Sequence, residues 1–205
     1  DDDFDTDNGY SGKVQFGIAQ RVHSIADVSG SNGFESDNDG TGSDNQPQTR
    51  AVFSNITILG PADKSGAKNV NANYQHAAQI RRNSAQSILN SVFAGYTEGI
   101  FYDGDASSAN YTSGKSVFAN NLVLGSNGKS NQIKASNPAT LALISVGINA
   151  DNIFTPASYG AAVYTAPYKY SADLVVSEFQ GTPNFTQVAG SPALTGAAFT
   201  DAKVT

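Results

Sequence analysis

FSNITILG (Phe53–Gly60), ILNSVFAG (Ile88–Gly95) and FANNLVLG (Phe118–Gly125) align without a gap. Each reads apolar, any, Asn, any, three largely apolar positions and Gly, with the Asn positions 35 and then 30 residues apart. Val14–Ile18 (VQFGI) is a weaker relative upstream. A second series lies between them. Phe4-Asp5-Thr6-Asp7-Asn8 matches Phe34-Glu35-Ser36-Asp37-Asn38, and Ile100–Gly104 (IFYDG) and Ala78–Arg82 (AQIRR) fit the same frame.

Two short strand motifs thus recur about every 30 residues, each alternating apolar and polar and bounded by Gly, Asn, Asp or Pro. A unit of this size cannot bury its apolar face alone. Stacking units buries a continuous core, which is the logic of a solenoid. The repeat therefore predicts an all-β, right-handed parallel β-helix, with rungs about 4.8 Å apart. The alternative for this composition is an antiparallel sandwich. Asn55, Asn90 and Asn120 are expected to form a buried ladder, each side chain bonding to the next coil, so the sequon Asn55-Ile-Thr would be accidental. Asn110-Tyr-Thr and Asn184-Phe-Thr are the other sequon matches.

Outward from the repeat, residues 38–50 and 61–73 read as polar excursions, which collect on one side of a solenoid and often carry binding. Ser136-Asn137-Pro138 followed by ATLALISVG predicts a helical excursion near 137–147, with Ser or Asn as cap. The division expected is 1–134 for β-helix coils and 135–205 for the helix and an irregular C-terminal cap of the same domain.

The chain has 205 residues, 39% hydrophobic and only 15% charged, against a usual quarter or so charged. Its net charge of −6 argues against nucleic acid, which needs clustered Lys and Arg, and against anionic membrane surfaces. The absence of cysteine excludes disulfides, thiolate metal sites and thiol nucleophiles. No apolar run reaches the length of a membrane span.

Asp1–Gly9 (DDDFDTDNG), Gly30–Gly40 (GSNGFESDNDG), Ala51–Pro61 (AVFSNITILGP), Ile88–Gly104 and Gly190–Phe199 (GSPALTGAAF) carry a resemblance to secreted bacterial surface proteins of the pectin-lyase-like superfamily. The resemblance implies a right-handed parallel β-helix at the cell exterior or outer-membrane surface, with further coils before Asp1. It adds nothing on chemistry.

The acidic series is the main chemical feature. With Phe4 and Phe34 inward, Asp3, Asp5 and Asp7 face outward on one coil, and Glu35 and Asp37 on the next. Asp5 would lie over Glu35 and Asp7 over Asp37. At about 5 Å such a pair costs ~3 kcal/mol at an effective dielectric near 20, so a cation, an arginine or a raised carboxyl pKa should offset it. Asp3, Asp5, Asp7, Glu35, Asp37 and Asp39 are the candidate ligands for a Ca²⁺, the one cofactor considered; the leading alternative is a solvated acidic face tied by Asn and backbone bonds. Arg81 should fall between Asp37 and Asp103, as a charge ladder or, by fold analogy with polysaccharide lyases, as a catalytic base. Asp37 with Asp103 could also serve a hydrolase. His23 and His76 are expected at solvated loop or edge positions. The tyrosines from Tyr159 to Tyr170 are expected to pack a cap, with a glycan-binding strip as the alternative.

The leading functional reading is a non-catalytic extracellular module for structure, adhesion or glycan contact. The alternative is a carbohydrate-active enzyme on an acidic polysaccharide.

Overall fold

The computed structural model describes residues 1–125, 132–168, 171–173 and 182–205. The first coil contains β1 (Phe4–Thr6), β2 (Lys13–Gln15) and β3 (Ile18–Gln20), the second β4 (Phe34–Ser36), β5 (Val52–Ser54) and β6 (Thr57–Leu59). The third contains β7 (His76–Ile80), β8 (Ser87–Leu89) and β9 (Val92–Ala94). The fourth has β10 (Glu98–Tyr102), the helix α1 (Asp105–Thr112), β11 (Phe118–Ala119) and β12 (Leu122–Leu124). In the fifth, the helix α2 (Pro138–Asp151) follows β13 (Ile133–Ala135), and β14 (Ile153–Thr155) rejoins the stack.

Corresponding strands pair in parallel along the axis. The first sheet is β1-β4-β7-β10-β13, the second β2-β5-β8-β11, the third β3-β6-β9-β12-β14. This is the parallel β-helix that the repeat predicts, with three strands in each of the first four coils and two in the fifth. Phe4 pairs with Phe34, Phe34 with Ala78, Ala78 with Ile100, and Ile100 with Ile133. The Phe4 and Phe34 rings stack, centroids 5.0 Å apart and 22° from parallel. Phe53, Ile58, Ile80, Ile88, Phe93 and Phe118 fill the same core, and each such side chain contributes roughly 1.5–3 kcal/mol by leaving water.

The recurring asparagines do not form the ladder. Each aligned motif spans two strands, β5 with β6, β8 with β9, and β11 with β12, and its Asn is the corner between them. Asn55, Asn90 and Asn120 have φ of 58°, 53° and 57°, the left-handed region that Asn tolerates better than other side chains. Asn55 is half-buried. The ladder lies one residue later, where the chain turns inward. Ile56 N–H donates to Ser91 Oγ (3.1 Å), Ser91 N–H to Asn121 Oδ1 (2.9 Å) and Asn121 N–H to Asn152 Oδ1 (2.9 Å). The closing Gly of the motif is also steric: a Cβ on Gly95, where φ is 80°, would meet Ala62 O at 2.1 Å.

The expected excursion is α2, with Pro138 first and Asn137 Oδ1 capping Thr140 N–H at 2.9 Å. Its buried residues Ile144 and Ile148 join the core, while Leu143 and Val146 face solvent. Tyr159 and Tyr164 are buried, which suits packing and not a surface strip; Tyr170 lies outside the described residues. β15 (Tyr164–Ala166) pairs antiparallel with β16 (Asn184–Gln187). Among the described residues no helix is long and apolar enough to cross a membrane.

Candidate functional site: the outer face of the first sheet

Alternation along β1, β4, β7, β10 and β13 aligns Asp5, Glu35, Gln79, Phe101 and Lys134 as one outward column. One step past the inward Thr6, Ser36, Ile80 and Tyr102 stand Asp7, Asp37, Arg81 and Asp103. The predicted order Asp37–Arg81–Asp103 is therefore present.

Arg81 is held on two sides. Its Nε donates to Asp37 Oδ1 at 2.7 Å, and Nη2 donates to Glu35 Oε2 at 2.5 Å and Asp37 Oδ2 at 3.1 Å. Arg82 Nη1 reaches the same Asp37 Oδ2 at 2.7 Å. Arg82 and Asn83 both have positive φ, 47° and 64°; this sparsely populated geometry is where the chain turns Arg82 back toward Asp37. Burial opposes the Arg81 charge, but the Asp37 hydrogen bond and the Glu35 and Asp37 charges outweigh it, and its pKa is raised. A guanidinium whose pKa is raised holds its proton, which favours the charge ladder over the base. Asp103 accepts from Gln79 Nε2 at 2.9 Å and from Ser136 Oγ at 3.2 Å. All three catalytic candidates thus make bonds that tie coils together.

The acids meet elsewhere. Carboxylate oxygens of Asp2, Asp5 and Glu35 lie within 4.8 Å of one another. Burial, with the charges of Asp2, Asp37 and Asp5, pushes the Glu35 carboxyl up to about 7 against the pull of Arg81. Burial first, then Asp2, Asp7 and Asp37, raises Asp5 too. Of the six candidate Ca²⁺ ligands, only Asp5 and Glu35 join this cluster. Asp3 is bound by Arg21 Nε at 2.9 Å and by the Tyr96 hydroxyl at 2.7 Å. Asp37 carries the two arginines. Asp39 closes its own loop with Thr41, Ser43 and Asn45, and the Ser43 and Thr41 hydrogen bonds lower its pKa. Asp7 is exposed. Asp2 enters because its carboxylate accepts the Asn32 N–H; it precedes β1, where strand alternation gives no direction. Asp2, Asp5 and Glu35 are the residues that could hold a cation, with Arg81 competing for Glu35.

A second group escaped sequence reasoning. His76 is buried, not solvated, and so is His23. His76 Nε2 is 2.9 Å from Glu98 Oε2, and its Nδ1 is 2.9 Å from Asn32 Oδ1. Lys134 Nζ donates to Glu98 Oε2 at 2.6 Å and lies 4.7 Å from the Phe101 ring centroid. Burial outweighs Glu98 and pushes His76 down to about 4. Asn32 links both groups, its Nδ2 lying 3.5 Å from Glu35 Oε1. His76, Glu98 and Lys134 come from three successive rungs at unrelated spacings, so no motif announces them.

Comparison with curated proteins finds no match, and neither does comparison with solved structures. A family model described as a pectate-lyase-like β-helix domain matches residues 1–163. That match spans all five coils and the whole outer face just described, and the chain belongs to the pectate-lyase-like β-helix domain family.

Proposed function

We propose that the chain is a non-catalytic extracellular surface module that holds carbohydrate against the outer face of its first sheet. The carrying observation is the pairing of Arg81 with both Glu35 and Asp37, which favours the charge ladder over the base that fold analogy offered. Family membership supports a carbohydrate-related module. The low charged fraction supports life outside the cell, and the absence of cysteine is compatible with it. Phe101, Lys134 and Arg82 offer an aromatic surface and two partly exposed cations, which suits an acidic glycan. A Ca²⁺ shared by Asp2, Asp5 and Glu35 would neutralise the acids that otherwise repel such a ligand.

A second reading rests on Glu35. A carboxyl with a pKa near 7 is poised to donate a proton, and Asp5 beside it makes a pair of carboxylates for an enzyme acting on acidic polysaccharide. A panel of uronate polymers, with and without Ca²⁺, separates the two. The module retards polymers in affinity electrophoresis without releasing unsaturated or reducing ends. Release of either, lost in Glu35→Gln, would establish the enzyme.

A further inference from the structure

A surface helix is normally apolar on the side it buries and charged or polar on the other. α2 departs from this. From Pro138 to Ala150 it holds no charged residue. Its inner face places Ile144 and Ile148 in the core. Its outer face is Ala139, Leu143, Val146 and Ala150, all exposed, with Leu143 at 66% and Val146 at 74%. The helix stands past β11, where the second sheet would have its fifth strand.

The four outer residues are spaced four, three and four apart. That is the d-a-d-a run of a heptad seam. A two-fold axis between Ile144 and Ser145 sets Leu143 against the partner's Val146, and Ala139 against the partner's Ala150. Each large side chain then meets a large one and each alanine an alanine. The face is its own complement, as an isologous interface requires. Gly147, at the edge of the seam, has no side chain to hold a second helix off. Beside it Tyr111, Val117 and Phe118 line a groove of about 390 Å³, which extends the apolar surface beyond the helix.

We propose that α2 is a homodimer interface, with two copies of this chain pairing antiparallel through Ala139, Leu143, Val146 and Ala150. Charge selects the antiparallel sense. Asp151 ends the helix, and the first turn holds no acid. Antiparallel pairing lays each Asp151 along the first turn of the other copy, the positive end of that helix's dipole. Parallel pairing sets the two Asp151 carboxylates side by side. The seam is about 17 Å long at 1.5 Å per residue. So short a contact belongs with the weak interfaces, and the dimer forms at high concentration and dissociates on dilution. No residue of the first-sheet outer face takes part, so the inference is independent of the first-sheet reading.

The test is the oligomeric state of the full chain, by sedimentation velocity from roughly 5 µM to roughly 500 µM, a span suited to weak interfaces. The dimer fraction should rise across that range. Leu143→Glu should weaken association at least tenfold and leave Tm unchanged, since that side chain already lies in water. Val28→Glu adds the same charge at a residue 93% exposed in the first coil, and should leave association as it was. The chain has no cysteine, so single cysteines report the geometry. Ala139→Cys mixed with Ala150→Cys should form a mixed disulfide in a glutathione redox buffer, while neither variant alone crosslinks. Like positions lie about 17 Å apart in the antiparallel pair, and a disulfide needs Cα atoms within about 7 Å. If Leu143→Glu fails to fold, the cysteine pair decides alone. A monomer at every concentration would overturn the proposal and leave the face to a partner of another kind. So would a folded Leu143→Glu that dimerises like the parent, or Ala139→Cys crosslinking alone as readily as in the mixture. Equal losses in Val28→Glu and Leu143→Glu would place the contact elsewhere and overturn it too.

Discussion

Arg81 stands one rung beyond Asp37, and its Nε donates to Asp37 Oδ1 at 2.7 Å. The same guanidinium reaches Glu35, so one cation from the third coil ties down two acids of the second. Arg81→Met leaves those acids facing each other and Asp5. Breaking a fully buried pair costs about 3–5 kcal/mol; the partial exposure of Arg81 reduces this to about 1–3 kcal/mol. Urea unfolding would measure the loss. Arg81→Lys should recover only part of it, because an ammonium cannot serve both acids through a planar fork.

Glu35 and His76 set opposing pH dependences. Glu35 is raised from 4.5 to about 7, so the folded state holds its proton more tightly. Its stabilisation is complete below pH 4.5 and is lost as pH rises to about 7. His76 is lowered from 6.5 to about 4, so the unfolded state takes the proton first, and stability is lost as pH falls from 6.5 toward 4. A folded-state pKa one pH unit away from its unfolded value is linked to about 1.4 kcal/mol of stability, and solvent screening reduces the share of the partly exposed Glu35. The two slopes oppose each other between pH 4.5 and 6.5 in the parent. Glu35→Gln should expose a stability that rises with pH across that window, and His76→Gln one that falls. Urea midpoints at half-unit pH steps would check both, and parallel profiles for the two variants would refute the assignment.

Calcium should bind the Asp2–Asp5–Glu35 cluster more tightly above pH 7 than at pH 6, because Glu35 must first lose its proton. Calorimetry on chelator-stripped protein should show heat of binding and a raised Tm, both abolished in Asp5→Asn. An absence of heat and an unchanged Tm would end the calcium expectation.

The corner asparagines and the ladder behind them should respond differently. Asn55→Gly places at the corner a residue that adopts positive φ freely, and should change stability by a few tenths of a kcal/mol. Asn121→Ala removes the acceptor for Ser91 N–H and the donor to Ile88 O, and should cost about 2–3 kcal/mol. Equal losses in the two variants would contradict the assigned roles.

The core is the plainest target. Phe34 is wholly buried against the rings of Phe4, Phe53 and Phe93. Phe34→Ala should cost about 3–5 kcal/mol, measured by thermal or urea unfolding.

The coils were legible because inward Phe4, Phe34 and Ile100 recur in a frame that also carries the outward acids. The register that sets Arg81 beside Asp37 followed from that frame alone. The third strand was hidden: FSNITILG looks like one strand, and only the backbone angle of Asn55 divides it. α1 was missed because DASSANYT has no apolar face. The placement of Asp2 was hidden because a loop residue's direction is set by the Asn32 N–H it accepts. The His76–Glu98–Lys134 group needs three rungs in register before its members become neighbours.

The rung-to-rung clamp through Ser91, Asn121 and Asn152 has an evolutionary corollary. From the second coil to the fifth, each coil grips the next with the same backbone-to-side-chain bond, so a gene segment encoding a complete turn can be duplicated or excised there and the seam will close. Removing one strand residue instead turns its inward side chains to solvent. Length variation among homologues should therefore come in whole turns, or as insertions in the loops 38–50 and 61–73.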